Sequence, residues 1–147
     1  MKRANQLIIA AAIACVCTAA QAKDNENNGQ RCSTSTLHGL YVFHASGFNI
    51  VGGVAQPKAI VELINFHGDG NLDVPEATVS INGIVSRSPP GGTGTYTIDQ
   101  DCTGSLQFHP PGPAFDFVVG FTNFELYMIQ TGPGSPVFQG KAERLSP

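Results

Sequence analysis

The sequence predicts an all-β protein: an eight-stranded antiparallel up-and-down barrel preceded by a signal peptide. Three observations lead to this prediction. The 17 glycines and 10 prolines lie mostly between short segments that are rich in β-branched and aromatic residues. Within those segments apolar and polar residues alternate, which is the period of a strand with one buried face. No segment of the exported chain has the apolar spacing of an amphipathic helix, and closing a meander into a barrel removes its unpaired edges.

The first 22 residues have the pattern of a signal peptide. Their start is basic, residues 7–20 are apolar and uncharged, and the following Ala-Gln-Ala fits a signal peptidase site. The apolar run is shorter than the roughly 20 residues of a membrane-spanning helix. Lipoprotein processing before Cys15 is the alternative, but the usual branched residue is missing three positions before this cysteine. We expect cleavage after Ala22 and a secreted or periplasmic protein.

The exported chain has the size of one domain. We expect residues 23–36 to form a flexible lead-in and residues 37–147 to form the barrel. From residue 23 onward there are six basic and eleven acidic residues, a net charge near −5 with neutral histidines. Because no basic patch is available to neutralise phosphates, we expect no nucleic-acid partner. No other segment is long and apolar enough for a membrane span.

Each predicted strand has its own signal. The first carries Tyr41 and Phe43 on one face, and the second is rich in β-branched residues and ends at a glycine-rich turn. The third bends near Pro75, because proline cannot donate to a sheet ladder. A loop, residues 86–92, follows. The remaining five strands alternate apolar with polar residues and are separated by turns containing Gly, Pro or Asn. The eight predicted strands are 38–47, 58–67, 71–83, 93–99, 102–109, 114–121, 124–131 and 136–144.

Two acidic segments could be mistaken for metal sites. Asp99 and Asp101 lie where the alternation of two strands stops, and aspartate is favoured at such turns. Residues 68–73 (GDGNLD) resemble the start of an EF-hand loop, but strands flank them and no closing glutamate follows. We interpret both segments as turns, with weak surface calcium binding as the alternative for the second. The four histidines form no ligand pair, so we predict no metal.

No motif for a cofactor or a catalytic nucleophile is present. The sequence has no GxSxG elbow, and its glycine-rich segments lead into strands instead of the helix that a phosphate-binding loop requires. We therefore predict no cofactor and assign no catalytic residue.

Cys32 and Cys102 are the two cysteines that remain after signal cleavage. Two lone cysteines in a small exported domain usually pair, so we predict a disulfide. Cys32 precedes the first predicted strand and Cys102 opens the fifth, and both strands start at the same barrel end. A lead-in crossing the barrel floor would bring the two together. Free thiols or half a metal site are the alternatives, but no CxxC or histidine spacing supports them.

Glu62 is the polar residue of greatest interest. It shares one strand face with Ile60, Ile64 and Phe66. If that face is interior, burial will raise the pKa of this carboxyl, which would suit a general acid or a group that anchors a ligand. The alternative is an outward face or a position at the hydrated rim.

Four stretches of the chain resemble a known group of proteins. They are LHGLYVFHASGF, NFHGDGNL, GTYTIDQDCTGSLQF and VFQGKAER. Together they resemble small exported bacterial proteins with an allene oxide cyclase-like or calycin-like β-barrel. The resemblance implies the barrel fold, and relatives with this barrel type include cyclases and isomerases that enclose an apolar substrate. Their catalytic residues match no motif here, so none is transferred.

The best functional hypothesis from sequence is a binding module that holds a small apolar molecule inside the barrel. One alternative is an enzyme of the cyclase or isomerase type that uses Glu62. Another is a structural or surface-interaction protein whose core is filled by its own side chains, and an exposed apolar face could also be a subunit interface. The sequence predicts no oligomeric state. The predicted ligand-binding residues are Tyr41, Phe43, Glu62, Ile64, Phe66, Tyr96, Ile98, Phe115 and Phe117.

Overall fold

A computed structural model describes residues 31–109, 112–122, 124–132 and 136–145. The predicted signal peptide and most of the lead-in lie outside these residues. The described chain contains one 3₁₀ turn, Thr34–Thr36, and nine strands. Within the described ranges, no helix is long and apolar enough to cross a membrane. The strands are β1 (His38–Val51), β2 (Val54–His67), β3 (Asn71–Ile81), β4 (Ile84–Ser88), β5 (Gly92–Ile98), β6 (Thr103–Phe108), β7 (Ala114–Val119), β8 (Glu125–Gly132) and β9 (Val137–Arg144).

Eight of the strands close an antiparallel barrel, which confirms the predicted fold. The order around the barrel is β1, β2, β3, β5, β6, β7, β8 and β9, and β9 pairs with β1 to close the ring. Three of the five residues of the ninth strand, β4, were predicted as part of a loop (residues 86–92). It lies along one half of β3 while β5 lies along the other half. β4 and β5 therefore form one interrupted strand, and the break falls where Pro89 and Pro90 have no backbone N–H to donate.

Four strands extend beyond the rim at one end of the barrel. β1 and β2 are longer than predicted and meet at Gly52 and Gly53, both with positive φ. The ladder between β1 and β9 stops at Phe48, and beyond it no described strand pairs with this hairpin on the β9 side. β3 and β4 rise beside it. We call residues 48–60 and 77–88 together the raised wall.

The barrel interior is filled by its own side chains. Tyr41, Phe43, Phe66 and Phe138 are almost completely buried. The ring of Phe66 meets that of Tyr41 edge-on at 5.2 Å between centroids, and Phe43 meets Phe115 in the same way at 5.5 Å. Such edge-to-face pairs add about 0.5–1.5 kcal/mol each beyond burial of their area. The barrel core is thus a packed aromatic core.

Gly104 shows how closely this interior is packed. A Cβ at this position would lie 2.2 Å from the carbonyl oxygen of Thr97 and 2.5 Å from the ring of Phe117. The Phe117 ring therefore occupies the space that a side chain on β6 would need.

The lead-in closes one end of the barrel. Leu37 is fully buried there, and the Tyr96 hydroxyl accepts a hydrogen bond from the Gly68 amide at 3.0 Å. The same hydroxyl lies 2.9 Å from the carbonyl oxygen of Thr34, to which it donates. The Cys32–Cys102 disulfide is present, with 5.0 Å between the Cα atoms, which confirms the predicted pairing across the barrel floor. The raised wall stands at the opposite end, beside the turns between β6 and β7 and between β8 and β9, and we call this end the open end.

Candidate functional site

The predicted ligand-binding residues all belong to the inner side of the barrel wall. Eight of them are buried, and Ile98 is partly buried against the core. Their rings contact one another, so these side chains occupy the interior themselves. The chemically distinctive member of the set is Glu62, which lies near the open end. This end is therefore the candidate site.

Glu62 is a nearly buried residue whose carboxylate has no hydrogen-bonding partner among the described residues, although its oxygens keep some contact with solvent. It lies on β2, with Phe43 opposite it on β1 and Ala77 opposite it on β3. Its side of β2 faces inward, and the residue is only 7% exposed. Burial raises the pKa of its carboxyl to about 7, against a smaller lowering by the charge of Lys58. This carboxyl can therefore exchange a proton near neutral pH.

Lys58 lies on the same face of β2, four residues nearer the end of the wall. Its Nζ donates to Oε1 of Gln130 at 3.1 Å and lies 4.1 Å from the ring centroid of Phe138. Burial lowers the pKa of Lys58, while the charge of Glu62 raises it. The two side chains form no direct ion pair within 4.0 Å in this structure, so their attraction acts at longer range.

Sequence reasoning missed Lys58 and Gln130. A signal for each was available, because both interrupt an otherwise apolar face at period two. Lys58 precedes Ile60 and Glu62 on β2, and Gln130 follows Met128 on β8. Nothing in the sequence shows that the two meet, since they are 72 residues apart.

An apolar surface leads from Glu62 out along the raised wall. Ile60 pairs with Val79, and Ile81 pairs with Ile84, so these side chains share the inner face of the wall with Glu62. The first three are partly buried, and Ile84 is 76% exposed. The open end thus combines a nearly buried carboxylate with an apolar face that the described residues leave partly exposed.

Two depressions lie on the outer surface. One, of about 860 Å³, is lined mainly by outward-facing side chains of the strands from β5 round to β1. The other, of about 600 Å³, lies under the turn after β7. Neither includes Glu62. In the larger depression Thr97 bonds to Ser105, and Lys141 bonds to Glu125. We place the site at the open end because Glu62, a nearly buried carboxylate, lies there.

Both acidic segments are turns. Oδ1 of Asp101 accepts hydrogen bonds from the amide and hydroxyl of Thr103, at 3.0 and 2.7 Å. Oδ1 of Asp69 accepts from the amide of Asn71 at 2.9 Å. These bonds lower the pKa of both aspartates. In the part of the chain that the structure describes, no group of three or more His, Cys, Asp or Glu side chains could hold a metal ion.

Comparisons with known proteins identify no relative of this chain, so its function has to be inferred from the fold and from the geometry of the open end. No protein family, curated protein or solved structure matches this chain.

Proposed function

We propose that this chain is an exported barrel that binds a small, mainly apolar molecule at its open end. The apolar body of the ligand lies on the inner face of the raised wall, and a hydrogen-bond-donating head contacts Glu62. The observation that carries this proposal is Glu62, a nearly buried residue whose carboxyl has a pKa raised to about 7 by burial and no hydrogen-bonding partner among the described residues. Export rests on the predicted signal peptide and on the disulfide, which is typical of oxidising compartments.

The energetic argument concerns the cost of burying this carboxylate. A rise in pKa from 4.5 to about 7 corresponds to about 3 kcal/mol of destabilisation of the charged form. A buried polar group without a partner is expensive, and such groups concentrate at functional sites. A ligand that donates a hydrogen bond to Glu62 would recover part of this cost.

The charges at the open end favour an amine or a hydroxyl as the head group. Lys58 already donates to Gln130 and lies over the ring of Phe138. Glu62 is therefore the group that still needs a partner. A carboxylate head would be repelled by Glu62 in its charged form, whereas an amine would pair with it.

An enzyme of the cyclase or isomerase type is the second candidate. The observation that favours it is the pKa of Glu62, about 7, since a general acid or base works best when its pKa is near the working pH. This alternative requires turnover of a bound substrate, which binding alone does not.

Binding of three matched probes tests the proposal: decylamine, decanol and decanoate, which share one chain length and differ in the head group. We expect decylamine to bind most tightly at pH 8, measured by calorimetry below micelle-forming concentrations. Glu62→Gln should weaken decylamine binding by about tenfold or more, or about 1.4 kcal/mol. Glu76→Gln is the control, because Glu76 is an exposed glutamate on the neighbouring strand. Failure of all three probes to bind, or equal binding of decylamine to Glu62→Gln, would overturn the proposal and favour a filled structural barrel.

A further inference from the structure

The outer edge of β4 is uncovered. This strand pairs with β3, and in the described chain no strand pairs with its other edge. All five of its residues are exposed, including Ile84 at 76% and Val85 at 55%. An exposed edge with apolar β-branched residues is a template for pairing with another strand, and natural proteins usually blunt such edges.

The turn before β4 determines which of its amides face this edge. Asn82 and Gly83 both have positive φ, as in a two-residue type I′ hairpin, so Ile81 and Ile84 exchange hydrogen bonds. Alternation along the strand then directs the backbone groups of Val85 and Arg87 to the free edge. The amide of Asn82 agrees with this assignment of backbone directions. It donates to the carbonyl oxygen of Pro57 on β2, which lies on the opposite side of β3 from β4.

We propose that two copies of this chain associate through β4, antiparallel about a twofold axis at Ser86. In this arrangement Val85 of each copy exchanges two backbone hydrogen bonds with Arg87 of the other, four bonds in all. The axis is perpendicular to the sheet, so the inner faces of both raised walls lie on the same side. The proposal is independent of the ligand and concerns the assembly alone.

Self-complementarity favours a second copy over another strand as the occupant. The hairpin turn limits β4 at one end, and Pro89 and Pro90 limit it at the other. Two copies centred on Ser86 therefore match over their whole length, with no unpaired overhang. The pairing also places Arg87, the one charged residue of β4, opposite Val85, so no like charges stand directly opposite each other.

Disulfide cross-linking tests the position of the axis. Ser86 would face itself in a non-hydrogen-bonded pair, with about 4.5 Å between Cα atoms, which is compatible with a disulfide. Ser88 of one copy would lie about 13 Å along the strand from Ser88 of the other, too far to bridge. We expect Ser86→Cys to form a covalent dimer under mild oxidation and the matched control Ser88→Cys to remain uncoupled. Equal cross-linking of both variants, or of neither, would overturn the proposal.

Analytical ultracentrifugation of the exported protein gives the second test. We expect the unmodified chain to sediment with the mass of a dimer. Val85→Pro should sediment as a monomer, because it removes an amide that faces the free edge and none that bonds to β3. Val85→Thr is the control and should stay dimeric. A monomeric unmodified chain, or a dimer that Val85→Pro leaves intact, contradicts the proposal. If Val85→Pro fails to fold, as judged by circular dichroism, the cross-linking result decides.

Discussion

Replacement of Glu62 by glutamine should stabilise the protein at alkaline pH. The pKa of the Glu62 carboxyl is about 7 in the folded chain, against 4.5 for an exposed glutamate. One pKa unit corresponds to about 1.4 kcal/mol, so ionisation of Glu62 costs the folded state about 3 kcal/mol. Glutamine has a similar shape and no charge, and it avoids this cost. The side chain is almost fully buried, so solvent screens little of the effect.

The pH dependence follows from the sign of the shift. Because the folded-state pKa is raised, the folded protein holds more protons than the unfolded chain between pH 4.5 and about 7. The contribution of Glu62 to stability is fully present below pH 4.5, decreases as the pH rises, and is lost above about pH 7. The charge of Lys58 lowers the pKa of Glu62 and so lessens the loss.

Urea denaturation from pH 4 to pH 8 measures this effect. We expect Glu62→Gln to match the unmodified chain near pH 4 and to exceed its free energy of unfolding by about 3 kcal/mol at pH 8. The control Glu76→Gln replaces an exposed glutamate and should follow the unmodified chain throughout. If Glu62→Gln instead shows the same pH profile as the unmodified chain, Glu62 is not desolvated and the reasoning is refuted.

Three further predictions concern the fold. Replacing Cys32 and Cys102 by serine should lower the free energy of unfolding by about 4 kcal/mol, because the bridge closes a loop with a sequence separation of 70. Urea denaturation of both forms measures this loss, and an unchanged midpoint would contradict the prediction. Tyr96→Phe should cost about 1–3 kcal/mol in the same assay, because backbone groups at the closed end lose their hydroxyl partner; a loss under 0.5 kcal/mol would argue against that role. Gly104→Ala should lower the thermal midpoint by several degrees, because the new Cβ would overlap neighbouring atoms. The control Gly132→Ala places its Cβ in open space and should change the midpoint little. Equal midpoints for the two variants would show that the strands adjust to the added Cβ.

The barrel was predictable because several of its strands alternate clearly between buried and exposed residues. In β7, Phe115 and Phe117 point inward and Asp116 points outward, as period two requires. The disulfide followed from the predicted compartment and from strand direction. The sequence left open whether Glu62 faces inward or outward, and the structure places it on the inner face.

The raised wall was not predictable in the same way. Strand β4 is exposed on both faces, so it has no alternation to read, and Pro89 beside it suggested a loop. The outer part of the long β1–β2 hairpin was also not predicted, because its turn residues, Gly52 and Gly53, gave no strand signal. The contact between Lys58 and Gln130 depends on which strands meet across the barrel mouth, and pairing of that kind is a property of the closed sheet.

Titration of the Glu62 carboxyl carbon by NMR, with and without decylamine, is the most direct test of the proposed site. We predict a pKa near 7 in the free protein and a lower pKa in the presence of the amine, because a bound cation stabilises the charged form. An ordinary pKa near 4.5, or a raised pKa that decylamine does not change, would contradict the account of the open end.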